Sequence, residues 1–112
     1  MKDRIDKLLK ILFDDQASIS ERDDAAMILG GFSDARSVNA LISKSKDLNE
    51  NEIVLNSCGE SLGEIWAKQN LFNENEYRTL SGTARYGAYS VIKFQKPEWI
   101  EQYQLDKDKF SD

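Results

Sequence analysis

The chain contains no histidine among its 112 residues, and it has one cysteine, Cys58, and one proline, Pro97. The absence of histidine removes the most common general base and the most common metal ligand. A single cysteine excludes an internal disulfide and agrees with a reducing compartment. No apolar run approaches the roughly 20 residues of a membrane-spanning helix, and the N-terminus is too acidic for a signal peptide. We therefore expect a cytoplasmic protein that does not enter a membrane.

The charge balance is acidic, because 15 lysines and arginines stand against 20 acids and give a net charge of −5. Phosphates repel such a surface, so we do not expect direct binding to nucleic acid or to anionic lipid. The charge suits a basic protein partner, although many soluble proteins are mildly acidic for solubility alone. A hydrophobic content of 40% and a length of 112 residues predict one globular domain with a small core.

A short pattern occurs twice, 33 residues apart (30 to 63), as RDDAAMILG at 22–30 and LNSCGESLG at 55–63. Each copy has small residues in its middle, then a leucine and a closing glycine. The matching positions are Ala25, Ala26, Leu29 and Gly30 in the first copy and Cys58, Gly59, Leu62 and Gly63 in the second. Small residues allow close helix packing, and glycine ends a helix without strain. The period is typical of helical-hairpin repeats.

The first copy and the segment after it resemble a HEAT-like repeat of the phycobilisome-lyase-like group. In that group a helix ending Ala-Ala-x-x-Leu-Gly precedes a Gly/Asp turn and a helix carrying Ala-Val-x-x-Leu-Ile; here AAMILG precedes a turn and VNALI. The resemblance is best over 20–46, fair over 49–66 and weak beyond. It implies an all-α fold, a short HEAT-like α-solenoid of about three helical hairpins. We expect one domain over 1–104 and a frayed polar tail over 105–112.

Apolar residues at helical spacing predict the individual helices. They cover about Asp3–Phe13, 20–30, 34–46, 50–68, 74–94 as one bent helix or two, and Pro97–Tyr103. The predicted N-terminal caps are Ser20 with Asp23, Ser33 or Asp34, Asn49 with Glu52, and Asn73 with Glu76. Gly82 favours a break within 74–94. Among side chains, Ile28 is expected inside and Lys44 outside.

One face of the fourth helix is acidic. Glu52, Asn56, Glu60 and Glu64 are spaced four residues apart, opposite the apolar stripe that contains Cys58. Like charges four apart destabilise a helix slightly, and a basic partner would offset this cost. The alternative is an ordinary solvated face. We predict that these four residues contact a protein partner.

Aromatic residues are concentrated toward the C-terminus, where nine of eleven lie from Trp66 onward. A terminal repeat needs residues that cover its apolar face, and we expect Phe94 and Trp99 to do this. Tyr86 and Tyr89 cannot both face the core, so they are further candidates for partner contact.

No motif for catalysis, cofactor binding or metal binding is present, and Cys58 is expected to be an unreactive core thiol. Bilin attachment, known in the group that the chain resembles, does not carry over, because the matching residues are packing residues. We therefore expect a non-enzymatic, monomeric binding module. The resemblance, size and charge suggest an immunity protein that neutralises a basic toxin domain such as a nuclease. The alternatives are a scaffold or assembly adaptor and, less favoured, a bilin-lyase-type enzyme.

Overall fold

The structure is a computed structural model that describes residues 3–107. Helix accounts for 74% of it and none of the described residues lies in a strand, so the all-α prediction is confirmed. The helices are α1 Arg4–Leu12, α2 Ile19–Leu29, α3 Ala35–Ser45, α4 Glu52–Gln69, α5 Glu74–Thr79, α6 Gly82–Gln95 and α7 Pro97–Gln102, followed by a 3₁₀ turn at Leu105–Lys107. The segment 74–94 is therefore two helices, divided just before Gly82.

Two helices start at other caps than those predicted. Ser18, rather than Ser20, caps α2: its Oγ accepts from the Glu21 N–H at 3.1 Å, and the Glu21 carboxylate accepts from the Ser18 N–H at 2.9 Å. A serine followed three residues later by an acid occurs at both positions, so the local pattern was ambiguous. Asn51 rather than Asn49 caps α4, and its Oδ1 accepts from the Ile53 N–H at 2.8 Å.

Helices α2, α4 and α6 lie side by side, with α4 in the middle. On the α2 side, Ser57 Oγ donates to the Asp23 carboxylate, and Ser61 Oγ, one turn later, donates to the Ala26 carbonyl at 2.7 Å. The partners on α2 follow one another in the same order as the serines on α4. The two helices therefore run in the same direction.

The contact between α4 and α6 is close and also joins helices of the same direction. Gly59 lies against Ala84, and Gly63, one turn later, lies against Ala88. A Cβ at Gly59 would be 1.8 Å from the Ala84 carbonyl oxygen, so no larger residue fits between the backbones. Gly59 therefore has the packing role that the repeated pattern predicts for its small residues, whereas Gly63, predicted to end the helix, lies inside α4. The paired residues Ala25, Ala26, Leu29, Cys58 and Leu62 are all buried.

Polar contacts connect the remaining helices, α1, α3, α5 and α7, into a second set. Arg36 on α3 pairs with Asp3 at the start of α1 at 2.9 Å, and Lys46 at the end of α3 pairs with Glu76 on α5 at 3.0 Å. Arg78 on α5 donates to a backbone carbonyl after α7 at 2.8 Å. Exposed pairs of this kind contribute little to stability, so the core around α4 holds the fold together. Whether the pattern is a HEAT-type solenoid stays a prediction.

Lys44 is buried, contrary to the prediction that it points outward. Its Nζ lies 3.1 Å from Glu50 Oε1, and the same carboxylate lies 2.9 Å from Arg22 Nε. A buried ammonium needs such a partner, because an isolated charge is strongly disfavoured away from water. This ion cluster connects α2, α3 and the loop that leads into α4.

Two apolar residues are on the surface although the sequence predicted them inside. Ile28 is 38% exposed, because α1 and α4 cover the side of α2 that carries Ala25, Ala26 and Leu29 and leave the side of Ile28 open. Phe94 is 88% exposed and seals nothing, because it lies two residues beyond the buried Ile92 and so on the other side of α6. Trp99 is buried and closes the end of the core as predicted.

The ordered core extends past the predicted domain end at residue 104. Leu105 begins the 3₁₀ turn and is fully buried, so it belongs to the packed domain rather than to a frayed tail. The rest of the predicted tail, 108–112, lies outside the described residues.

Candidate partner-binding face

The predicted acidic residues occupy the side of α4 that faces outward. Glu52 and Glu64 are exposed, while Asn56 and Glu60 are half-buried. Asn56 is held against α6, because its backbone carbonyl lies under Gly87, where an added Cβ would approach it to 2.4 Å. Of the four predicted residues, Glu60 and Glu64 therefore remain the two carboxylates near the middle of the face.

Glu60 and Glu64 line a shallow trough that the sequence did not reveal. It has a volume of about 160 Å³ and runs along α4 between its two neighbouring helices. Ser57 and Ser61 also line it, Met27 comes from α2, and Val91 comes from α6. We call this concavity the acidic trough. Met27 is 56% exposed, so an apolar surface borders the carboxylates.

The electrostatics of the acidic trough favour a cation. Burial raises the pKa of Glu60, and the negative charges of Glu64 and Asp23 raise it further. Within residues 3–107 neither Glu60 nor Glu64 belongs to an ion pair. A positive charge placed in the trough would therefore relieve repulsion that the isolated protein retains.

The two predicted tyrosines are not part of the trough lining. Tyr86 is 51% exposed on α6. Tyr89 is half-buried, and its hydroxyl donates to Asp106 in the 3₁₀ turn, which raises the pKa of Tyr89 to about 12. Tyr86 therefore offers more surface to a partner than Tyr89 does.

Met27, Asp23 and Val91 were missing from the sequence-based candidates. The spacing of Asp23 and Met27, one turn apart on α2, shows that they share a face. Nothing in the spacing shows that this face borders Glu60, because that depends on how α2 packs against α4.

The single thiol of the chain is inaccessible to solvent. Cys58 is fully buried, and burial raises its pKa to about 12, which keeps it a protonated thiol at neutral pH. No cluster of three potential metal ligands occurs within residues 3–107. In the same range, no helix is long and apolar enough to cross a membrane.

Comparison of the chain with protein families, with curated proteins and with solved structures finds no match. Its function is therefore inferred from its residues and their geometry.

Proposed function

We propose that the protein is a non-enzymatic module of HEAT-like helical repeats that binds a basic protein partner through the acidic trough. The observation that carries this proposal is the pair of carboxylates, Glu60 and Glu64, in a groove bordered by Met27 and Val91. A lysine or arginine of the partner would place its aliphatic stem on the apolar border and its charge beside the carboxylates.

Among such modules, an immunity protein that neutralises a toxin domain fits the charge and the size best. Domains that cleave nucleic acid carry basic grooves, and an acidic helical face can occupy such a groove in place of the phosphates. An interface of ordinary size buries about 800 Å² on each partner. The described residues that line the acidic trough offer much less surface than this. The contact must therefore also include the neighbouring faces of α2 and α6, where Tyr86 is one of the exposed residues.

The partner itself can be isolated from the native host with the tagged protein at low salt, and its binding kinetics measured. In a variant with Glu60→Lys and Glu64→Lys we expect association to slow at least about tenfold at low salt, because steering by opposite charge is lost. The matched control carries Glu98→Lys and Glu101→Lys on α7, an equal change of charge away from the trough. Equal slowing in both variants, or in neither, would refute binding at the trough.

The immunity role also predicts the stoichiometry of protection. Protection must titrate one-to-one with the partner and stop there, because inhibition by occupation involves no turnover. Binding that leaves the activity of the partner intact would identify an adaptor instead. Protection by catalytic amounts of the protein would identify an enzyme.

A further inference from the structure

A second and larger concavity lies where α4 ends and the chain turns into α5. It has a volume of about 560 Å³, and its walls include Trp66, Phe72 and Tyr103, with Gln69 and Glu74 at more polar positions. We call it the aromatic pocket. Its volume lies within the range of roughly 300–1,000 Å³ that is common for sites of small molecules, and such sites combine apolar walls with a few polar groups.

Phe72 is the centre of the cluster of rings that forms this pocket. Its ring centroid lies 4.9 Å from that of Tyr103, 5.1 Å from that of Trp99 and 5.5 Å from that of Trp66. The quadrupole of an aromatic ring places partial negative charge on its faces, which attract cations within about 6 Å of the ring centroid. The walls therefore provide both apolar surface and a preference for positive charge.

Two further features give the aromatic pocket the same electrostatic sign. The charged residue among its described lining is an acid, Glu74, whose carboxylate accepts from Arg78 Nε at 3.0 Å, so that part of its negative charge is already balanced. The pocket also adjoins the C-terminal end of α4, whose 18 residues make the dipole negative at this end. The dipole of α4 therefore favours a cation over an anion at this end of the helix.

The chain already places one of its own cations against the same ring cluster. Lys96 Nζ lies 5.7 Å from the ring centroid of Trp99 and donates to Asn70 Oδ1 at 2.8 Å. Asn70 is the C-terminal cap of α4. The cluster and the end of α4 are thus compatible with a positive charge on one side, while the pocket opens beside Phe72 and Tyr103.

We propose that the aromatic pocket binds a small organic cation of the quaternary ammonium type. The methyl groups of such a cation spread its charge over apolar surface, so it loses little hydration when it contacts aromatic rings. The ammonium group would lie against Phe72 and Tyr103 with Glu74 at its edge, and the remaining volume would hold the substituent. This site is separate from the acidic trough and does not depend on the partner proposed above.

The test compares two probes of the same shape, choline and the uncharged 3,3-dimethylbutan-1-ol, on the full chain. Both tryptophans of the protein, Trp66 and Trp99, belong to the ring cluster, so their fluorescence reports occupancy directly. We expect a saturable change with choline at a concentration at least about tenfold lower than with the alcohol. No saturable change with choline, or equal affinity for the two probes, would overturn the proposal.

Substitutions locate the binding within the protein. Tyr103→Leu should weaken choline binding at least about tenfold, whereas Tyr103→Phe should retain it, because the ring rather than the hydroxyl makes the contact. Phe94→Leu is the matched control, since this exposed ring lies outside the pocket lining. If the leucine variant melts early, Glu74→Gln provides a second test and should weaken choline binding at least about threefold. Unchanged affinity in a folded Tyr103→Leu variant, or in Glu74→Gln, would refute the assignment.

Discussion

The contact between α4 and α6 yields a sharp stability prediction at Gly59. In Gly59→Ala the added Cβ would lie 1.8 Å from the carbonyl oxygen and 2.9 Å from the Cα of Ala84. An ordinary contact begins at 3.4 Å, so α6 must move by about 1.6 Å (3.4 less 1.8). The obstacle is backbone, so no side-chain rotation relieves it. The shift would also loosen the contact of Gly63 with Ala88 one turn later.

Overpacking of this kind costs about 3 kcal/mol, at the upper end of the usual range. The helix propensity of alanine over glycine returns about 1 kcal/mol, which leaves a net loss of about 2 kcal/mol. For a domain of this size the melting temperature should fall by about 8 °C, measured by circular dichroism at 222 nm. The matched control is Gly82→Ala, where nothing lies within 4 Å of the new Cβ and φ is not positive.

Gly82→Ala should raise the free energy of unfolding by about 0.4–1 kcal/mol, because alanine restricts the unfolded chain more than glycine does. The two variants make the same chemical change in the same protein, one where the new methyl group meets backbone and one where it meets open space. A Gly59→Ala variant that melts at or above the wild-type temperature would refute the close packing of α4 on α6.

Four other predictions concern ionisable groups. Glu50→Gln should lower the free energy of unfolding by about 3 kcal/mol in urea denaturation, because it removes the buried carboxylate that pairs with the buried Lys44 and the partly buried Arg22 and leaves Lys44 only the more distant Asp47. Glu76→Gln, which removes an exposed pair, should cost less than about 1 kcal/mol. Glu60→Gln should raise the melting temperature at pH 7. The pKa of Glu60 is raised from 4.5 in the folded protein, so its negative charge destabilises the fold above that raised pKa. The gain should vanish below pH 4.5, where Glu60 is protonated in both the folded and the unfolded state. Cys58 should react with a thiol reagent at pH 8 only as fast as the protein unfolds, because the thiol is buried and its pKa is about 12, and rapid labelling of the folded protein would contradict this.

The ion cluster around Glu50 should give the opposite pH dependence to that of Glu60, because it stabilises the fold when the carboxylate is charged. Burial opposes ionisation of this carboxyl, but hydrogen bonds from Arg22, the Asn51 backbone and Lys44 outweigh it and lower its pKa below 4.5. The stabilisation is therefore present above pH 4.5 and is lost as the pH falls through the lowered value.

The residues that share a face of one helix were predictable from the sequence, because helical geometry depends only on local spacing. This holds for the acidic side of α4, for the buried thiol of Cys58 and for the small residues Ala26 and Gly59 at helix contacts. Helix content followed from the same local rules, which favoured a break near Gly82 but left one bent helix open as the alternative.

The tertiary structure alone decided which faces of different helices adjoin. Three features depend on the register between helices. They are the position of Met27 and Val91 beside Glu60, the burial of Lys44, and the aromatic pocket around Phe72. That register results from the backbone approach that Gly59 permits and from the charge partner that Glu50 supplies, between residues distant in the chain. Periodicity within a helix carries no information about either, because it is the same for every way of packing the helix against its neighbours.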